Sequence, residues 1–320
     1  MRAWRAGAVA AVLALTWTGA AAAQTAAAPL PDPEADLVEP VVVTARLPGP
    51  AWWRVSDADT TVYIMGGPEG SLPEGLTWNS SILERRLAGA HSFITGASIS
   101  VGLSGLPAML RLRERLKSPA PMETTLPPEL RTRFVAARER LGQPAKRYSG
   151  WTPLVAGQRL VDDSRGAGKW RNVRGEIEAA ARRRKLKPQT LASLDGTPFV
   201  RAAMNSLTPE VHHRCLELAL DDVERGDRAR RAAEAWVQGE VQAALDYPRS
   251  FDRCLLLLAG GEAMWTRATR AQAEDVRAAL RKPGHAVAVI GLRRLLAKDG
   301  VLQQLRASGY QVRGPGDPGT

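Results

Sequence analysis

Histidines and cysteines, the side chains best suited to ligate a transition metal or to act as base or nucleophile near neutral pH, number four and two in this sequence, and they are scattered. The histidines are His91, His212, His213 and His285. His212 and His213 are adjacent, so on a helix they diverge, whereas an i,i+4 pair would share one face. His91 stands at a helix end just before Phe93, and His285 stands at a strand entrance. All four read as surface or boundary residues rather than ligands. The chain has no HExxH, cysteine cluster, Walker loop or G-x-S-x-G elbow. A serine nucleophile at Ser71 or Ser98 would need a histidine base, and the sequence places none near either. Glu69, Glu262 and Asp299 are the carboxylates available to a rebuilt hydrolytic site. Cys215 and Cys254 are either a disulfide or two separate buried thiols. As a disulfide they would stabilise by about 4 kcal/mol on the chain-entropy account.

The elements that must position such residues follow from periodicity and punctuation. Thr60–Met65 is β-rich and ends at Gly66-Gly67-Pro68, which predicts a strand and a tight turn. Helices are expected over 83–90, 128–141, 176–185, 209–224, 228–245, 251–260 and 262–280. The start at Thr208-Pro209-Glu210 combines a cap, a proline at the first position and an acid at the positive end of the helix dipole. Phe93-Ile94, Ala286–Ile290 and Tyr310–Arg313 read as strands, and 300–308 as a closing helix. Leu255–Ala259, the greasiest stretch, suits a buried helix turn or core strand. The fold class is therefore α/β, with a central mixed sheet formed by N- and C-terminal strands around a largely helical middle.

Composition narrows the function classes. The chain has 320 residues and a formal net charge of +11, spread along its length. The one dense run, Arg182–Lys187, lacks the interleaved aromatics of a single-strand binder and reads as a solvated helix end, so nucleic acid is not an expected partner. Residues 1–23 have the form of a signal peptide: Arg2 and Arg5, an apolar core over 8–17, then Ala21-Ala22-Ala23 before Gln24. Export to a bacterial periplasm is the expectation, with no transmembrane segment left after cleavage. Residues 24–50 read as a flexible linker, containing the apolar box Val41–Ala45; residues 51–313 read as the folded domain and 314–320 as a disordered tail.

A resemblance then appears at both ends of the domain. Trp53–Tyr63, Leu72-Pro73-Glu74-Gly75 and Trp78 resemble the opening of TraB/GumN proteins. Trp151-Thr152-Pro153 resembles their mid-chain W-x-P segment. Ala286–Gly291 and Asp299–Val312 resemble their second strand, closing helix and closing strand. The resemblance implies a fold related to Tiki and erythromycin-esterase-like proteins, in which two G-x-x-H turns meet at strand ends and neutral imidazoles ligate a divalent metal.

This sequence departs from that pattern. The first motif falls on Gly67-Pro68-Glu69-Gly70, with Gly70 in the histidine's place, or Glu69 on a one-residue shift. The second falls on Gly291-Leu292-Arg293-Arg294, with Arg294 in the histidine's place. A guanidinium has no acceptor lone pair and cannot ligate a metal. The family's glutamate falls near Thr95, and its Arg-Asn pair is not intact around Arg267–Thr269. No cofactor is expected. Glu69 is expected to approach the arginines, as an ion pair with Arg294; alternatively Arg293 and Arg294 bind an anionic ligand or face solvent. Three functions stay open: a degenerate pseudoenzyme that binds or scaffolds, a hydrolase or peptidase with a rebuilt site, and a cell-envelope accessory protein acting on an envelope partner through Val41–Ala45.

Overall fold

In a computed structural model the described residues are 33, 49–96, 98–166, 170–189 and 193–317. The proposed signal peptide, the Val41–Ala45 box and residues 318–320 lie outside them. Of the chain's two compact units, Met1–Leu30 is not described, and Pro31–Thr320 holds every described residue.

The strands are β1 (Trp52–Ser56), β2 (Thr60–Gly67), β3 (Leu72–Pro73), β4 (Ser92–Ile94), β5 (Ser98–Ser100), β6 (Trp170–Arg171), β7 (Pro188–Gln189), β8 (Ser193–Asp195), β9 (Gly284–Gly291) and β10 (Gln311–Arg313). Six form one mixed sheet in the order β10-β1-β2-β9-β4-β7, while β3 pairs with β6 and β5 with β8. The chain-terminal strands do meet. β1 lies antiparallel between β10 and β2, and β2 runs parallel to β9 from Thr60 opposite Gly284 to Gly67 opposite Gly291. β4 is parallel to β9 on its other side. Parallel neighbours need a long crossover, and the helical middle of the chain supplies it. Central parallel strands are covered on both faces and so read as apolar runs; Val62, Ile64, Phe93, Ala286, Val287 and Ala288 are all essentially inaccessible.

The helices are α1 (Ser81–Leu87), α2 (Leu106–Arg115), α3 (Pro128–Arg140), α4 (Pro153–Arg165), α5 (Val173–Arg183), α6 (Thr197–Ser206), α7 (Pro209–Glu224), α8 (Arg228–Gln238), α9 (Val241–Ala244), α10 (Ser250–Leu257), α11 (Gly261–Leu280), α12 (Leu292–Leu296) and α13 (Val301–Ala307). Four of them, α2, α4, α6 and α12, lie where no helix was expected. The single helix expected over 228–245 is two, because Gly239 adopts a left-handed conformation (φ 77°) that ends α8. Of the greasiest segment, Leu258 is buried, Leu255, Leu256 and Leu257 are half-buried and Ala259 is exposed, so it is only partly core.

Two large apolar clusters, with a small third of Ala229, Ala232 and Tyr247, pack the described residues. One joins the sheet to α1, α5, α8, α11 and α13, through residues such as Trp53, Ile177, Trp236, Val276 and Leu305. The other packs α3, α4 and α7 around Phe134, Tyr148, Leu160 and Leu216. Cys215 of α7 is disulfide-bonded to Cys254 of α10. The tail begins as a turn in which the Gly314 N–H donates to Asp317 Oδ2 (2.8 Å).

Candidate functional site at the strand ends

The parallel strands β2, β9 and β4 bring three carboxyl ends to one edge of the sheet, the usual place for ligands in α/β folds. β2 ends at Gly67 and runs into Pro68-Glu69-Gly70-Ser71. β9 ends at Gly291 and runs straight into α12, which carries Arg293 and Arg294. β4 ends at Ile94, followed by Thr95 and Gly96. Because Gly67 is the register partner of Gly291, the two turns singled out in the sequence are side by side.

Their side chains are arranged as follows. Glu69 Oε1 accepts the backbone N–H of Arg293 (2.9 Å), one of the N–H groups that the start of a helix leaves without an internal partner. The expected approach of Glu69 to the arginine pair therefore runs through the backbone of α12. The Arg293 guanidinium donates to the Leu245 carbonyl. Arg294 is half-buried, and its Nε has no hydrogen-bond partner among the described residues. It borders two adjoining cavities of about 350 and 240 Å³, which share Pro68, Gly291 and Arg294.

The larger cavity is walled by backbone at Gly67, Gly70 and Gly96, and by Thr95, Arg174 and Gln272. Arg174 is paired along α5 with Glu178 (3.1 Å). Gln272 is 2% exposed, and its Oε1 has no hydrogen-bond partner among the described residues. Its Nε2 lies 2.9 Å from where a Cβ on Gly96 would stand, so a side chain at position 96 would require that amide to shift. The smaller cavity has a mixed wall of Arg249, Asp252, Leu255, Leu256, Met264 and Trp265.

Gly70, where the resemblance would put the first histidine, is closely approached by another side chain. A Cβ there would lie 2.2 Å from the Tyr247 hydroxyl and 2.3 Å from its Cζ. Tyr247, on the segment between α9 and α10, fills the place that a side chain at position 70 would occupy. Burial pushes its phenol above the ordinary range, and the negative charges of Asp252 and Glu69 add to the effect against the nearby Arg165. Arg165 sits 5.4 Å from the ring centroid.

No histidine approaches this edge. His285 is opposite Thr61 at the amino end of β9, and its Nε2 meets the Arg86 carbonyl (2.9 Å). The His91 N–H donates to the His285 carbonyl (2.9 Å) at the same far end. His91 is held below its usual range by burial, then by the charges of Lys282 and His285. His212, expected at the surface, is buried in α7, and burial with His213 alongside depresses its pKa. Glu262 and Asp299 are exposed and border neither cavity. Among the described residues no three His, Cys, Asp or Glu side chains are grouped to hold a metal. The donor set at the turns does not fit one: Gly70 offers no atom, Arg294 offers a cation, and Glu69 is engaged with α12.

Sequence reasoning missed Tyr247, Arg174 and Gln272. Gln272 had a signal: with Thr269 and Asp275 it is a polar residue on the otherwise apolar inner face of α11, where Ala268, Ala273 and Val276 are buried. Tyr247 and Arg174 had none, since only the tertiary fold brings them to the cleft.

The architecture and the cleft define an α/β protein with paired turns at the ends of adjacent parallel strands. Residues 51–314 match the model of the TraB/PrgY/gumN family, and the chain belongs to that family. No curated protein and no solved structure matches the chain.

Proposed function

We propose that this is an exported, catalytically degenerate member of its family that has kept the strand-end cleft for binding. The observation that carries the reading is the polar wall of the larger cavity: the residues Gln272 and Arg294 both border it, and Gln272 Oε1 and Arg294 Nε, themselves buried, have no hydrogen-bond partner among the described residues. Leaving a buried polar group unmet costs about 1–3 kcal/mol, and a ligand that supplies a donor to Gln272 and an anionic group to Arg294 removes that cost. The filling of position 70 by Tyr247 supports the loss of metal chemistry. Kinship with Tiki-like and erythromycin-esterase-like folds belongs to the same proposal; it is supported by the two adjacent turns after parallel strands.

Inorganic phosphate, citrate and N-acetylglutamate are suitable probes in a thermal-shift titration of residues 24–320. At least one is expected to raise the melting temperature in the parent and not in Gln272→Leu or Arg294→Met. Stoichiometric binding of Mn²⁺, Zn²⁺ or Co²⁺, together with a hydrolytic activity lost to chelator, would refute the degenerate reading. Export is tested separately by cell fractionation and by the mature N-terminus, expected at Gln24. Pull-downs with and without residues 24–50 test the envelope-partner role of Val41–Ala45.

A further inference from the structure

Large apolar side chains on the surface of this protein are concentrated in one place. Of the six exposed among the described residues, five lie between positions 99 and 110: Ile99, Leu103, Leu106, Met109 and Leu110. Leu103 is 86% exposed and Leu110 64%. They belong to one surface. Leu103 is in the short 3-10 turn that enters α2, and Leu106, Met109 and Leu110 follow at helical spacing along α2 itself. Residues three and four apart share a helix face. The opposite face is the anchored one: Ala108 is buried, and Arg115 Nη1 donates to the Met204 carbonyl at the end of α6 (2.6 Å). So α2 holds on to α6 and turns its leucines outward.

The charges beside that stripe are of one sign. Between Gly102 and Lys117 the sequence carries Arg111, Arg113, Arg115 and Lys117 against Glu114 alone. Glu114 is taken up by Lys117 (2.8 Å), and Arg115 by α6. Arg111 and Arg113 are exposed beside the apolar stripe. An apolar ridge flanked by cations is the pattern of a helix that lies in the plane of a lipid interface, with leucines among the acyl chains and guanidinium groups among the headgroups. Charge decides between this and self-association. A twofold contact would set the same cations against one another, whereas an anionic bilayer neutralises them.

We propose that the face of α2 formed by Leu103, Leu106, Met109 and Leu110, with Arg111 and Arg113 beside it, docks on the surface of an anionic phospholipid bilayer. Ile99, exposed on β5 four residues before Leu103, borders the smaller strand-end cavity.

Vesicle co-sedimentation tests the proposal, with residues 24–320 so that the apolar N-terminal segment does not contribute. The vesicles are phosphatidylglycerol/phosphatidylethanolamine, compared with pure phosphatidylcholine. Binding is expected to the first and not the second. Leu106→Gln/Leu110→Gln, which leaves the net charge unchanged, is expected to weaken it at least tenfold, and Arg111→Gln/Arg113→Gln likewise at low salt. Because these side chains are exposed, both variants should keep the parent melting temperature. Three results would overturn the proposal: no vesicle binding, vesicle binding that the leucine variant leaves intact (general attraction of a basic protein), or a concentration-dependent dimer abolished by that variant.

Discussion

Replacing Gly70 by alanine isolates the most specific claim about the cleft. Gly70 is not among the residues with positive φ, so its backbone tolerates a side chain. Alanine at such a position stabilises by about 0.4–1 kcal/mol, because it restricts the unfolded chain. Against that, the new Cβ would lie 2.2 Å from the Tyr247 hydroxyl and 2.3 Å from its Cζ, on a ring that is 8% exposed and packed against Ala229 and Ala232. Overpacking of this kind costs about 1–3 kcal/mol. Gly70→Ala is therefore expected to destabilise the parent by about 1–2 kcal/mol net. Tyr247→Ala removes the obstacle, at its own cost of roughly 3 kcal/mol or more for a large aromatic. In that background Gly70→Ala should be neutral or stabilising by about 0.5 kcal/mol, so the two changes should couple by about 2 kcal/mol. Urea unfolding of the four proteins, followed by tryptophan fluorescence, measures the cycle. Equal cost of Gly70→Ala in both backgrounds would refute the claim that Tyr247 occupies the place of a side chain at position 70.

Other consequences are independent of that cycle. Reducing Cys215–Cys254, or replacing both by alanine, frees a loop with a sequence separation of 39 and should cost about 4 kcal/mol on the chain-entropy account, read as a lower denaturation midpoint. Glu69→Ala removes the acceptor of the Arg293 N–H and should cost about 1 kcal/mol in the same assay, whereas Arg294→Met should change stability by less than about 0.5 kcal/mol while abolishing any anion-induced thermal shift. His212 has its pKa depressed in the fold by burial, so the unfolded chain binds the extra proton first. Its contribution to stability is present above the unfolded value of about 6.5 and is lost as pH falls through the folded value. His212→Leu should therefore flatten the decline in melting temperature between neutral pH and about pH 5, and an unchanged slope would rule that source out.

Whether an element was legible depended on where its signal lay. α7 was readable because its cap is local: Thr208 Oγ1 accepts the Val211 N–H (3.3 Å), with Pro209 and Glu210 in the first turn. β9 was readable because a strand covered on both faces shows as a continuous apolar run. α2 was not: its apolar side chains face outward and only Ala108 is buried, so its pattern marks a surface rather than a core. α4 shares with α7 only the Thr-Pro start at Thr152-Pro153, without the cap hydrogen bond or the first-turn acid, and its W-x-P residues were read only as a family segment. The pairing of the two turns followed from the resemblance and is seen in the Gly67–Gly291 register. The cleft walls drawn from α5 and α10 did not follow from any local pattern, because each contributes its residues through tertiary placement alone, whereas Gln272 of α11 showed locally as a polar residue on an apolar helix face.

The residues that stand at the two turns are coupled to one another through one short segment. With a histidine at position 70, Tyr247 could not keep its present place; with Tyr247 there, a histidine cannot enter without strain. At the second turn Arg293 reaches back to the Leu245 carbonyl, two residues before Tyr247, so both turns are packed against the same short segment between α9 and α10. Glu69 adds the third tie, from the first turn to the backbone of the second. Each contact alone is worth about a kcal/mol or two, but interlocking contacts of this kind lose more when one partner is reverted than when the set changes together. A histidine placed at position 70 alone would thus meet the Tyr247 ring, whereas position 294 borders the adjoining cavity lined by Arg174 and Gln272.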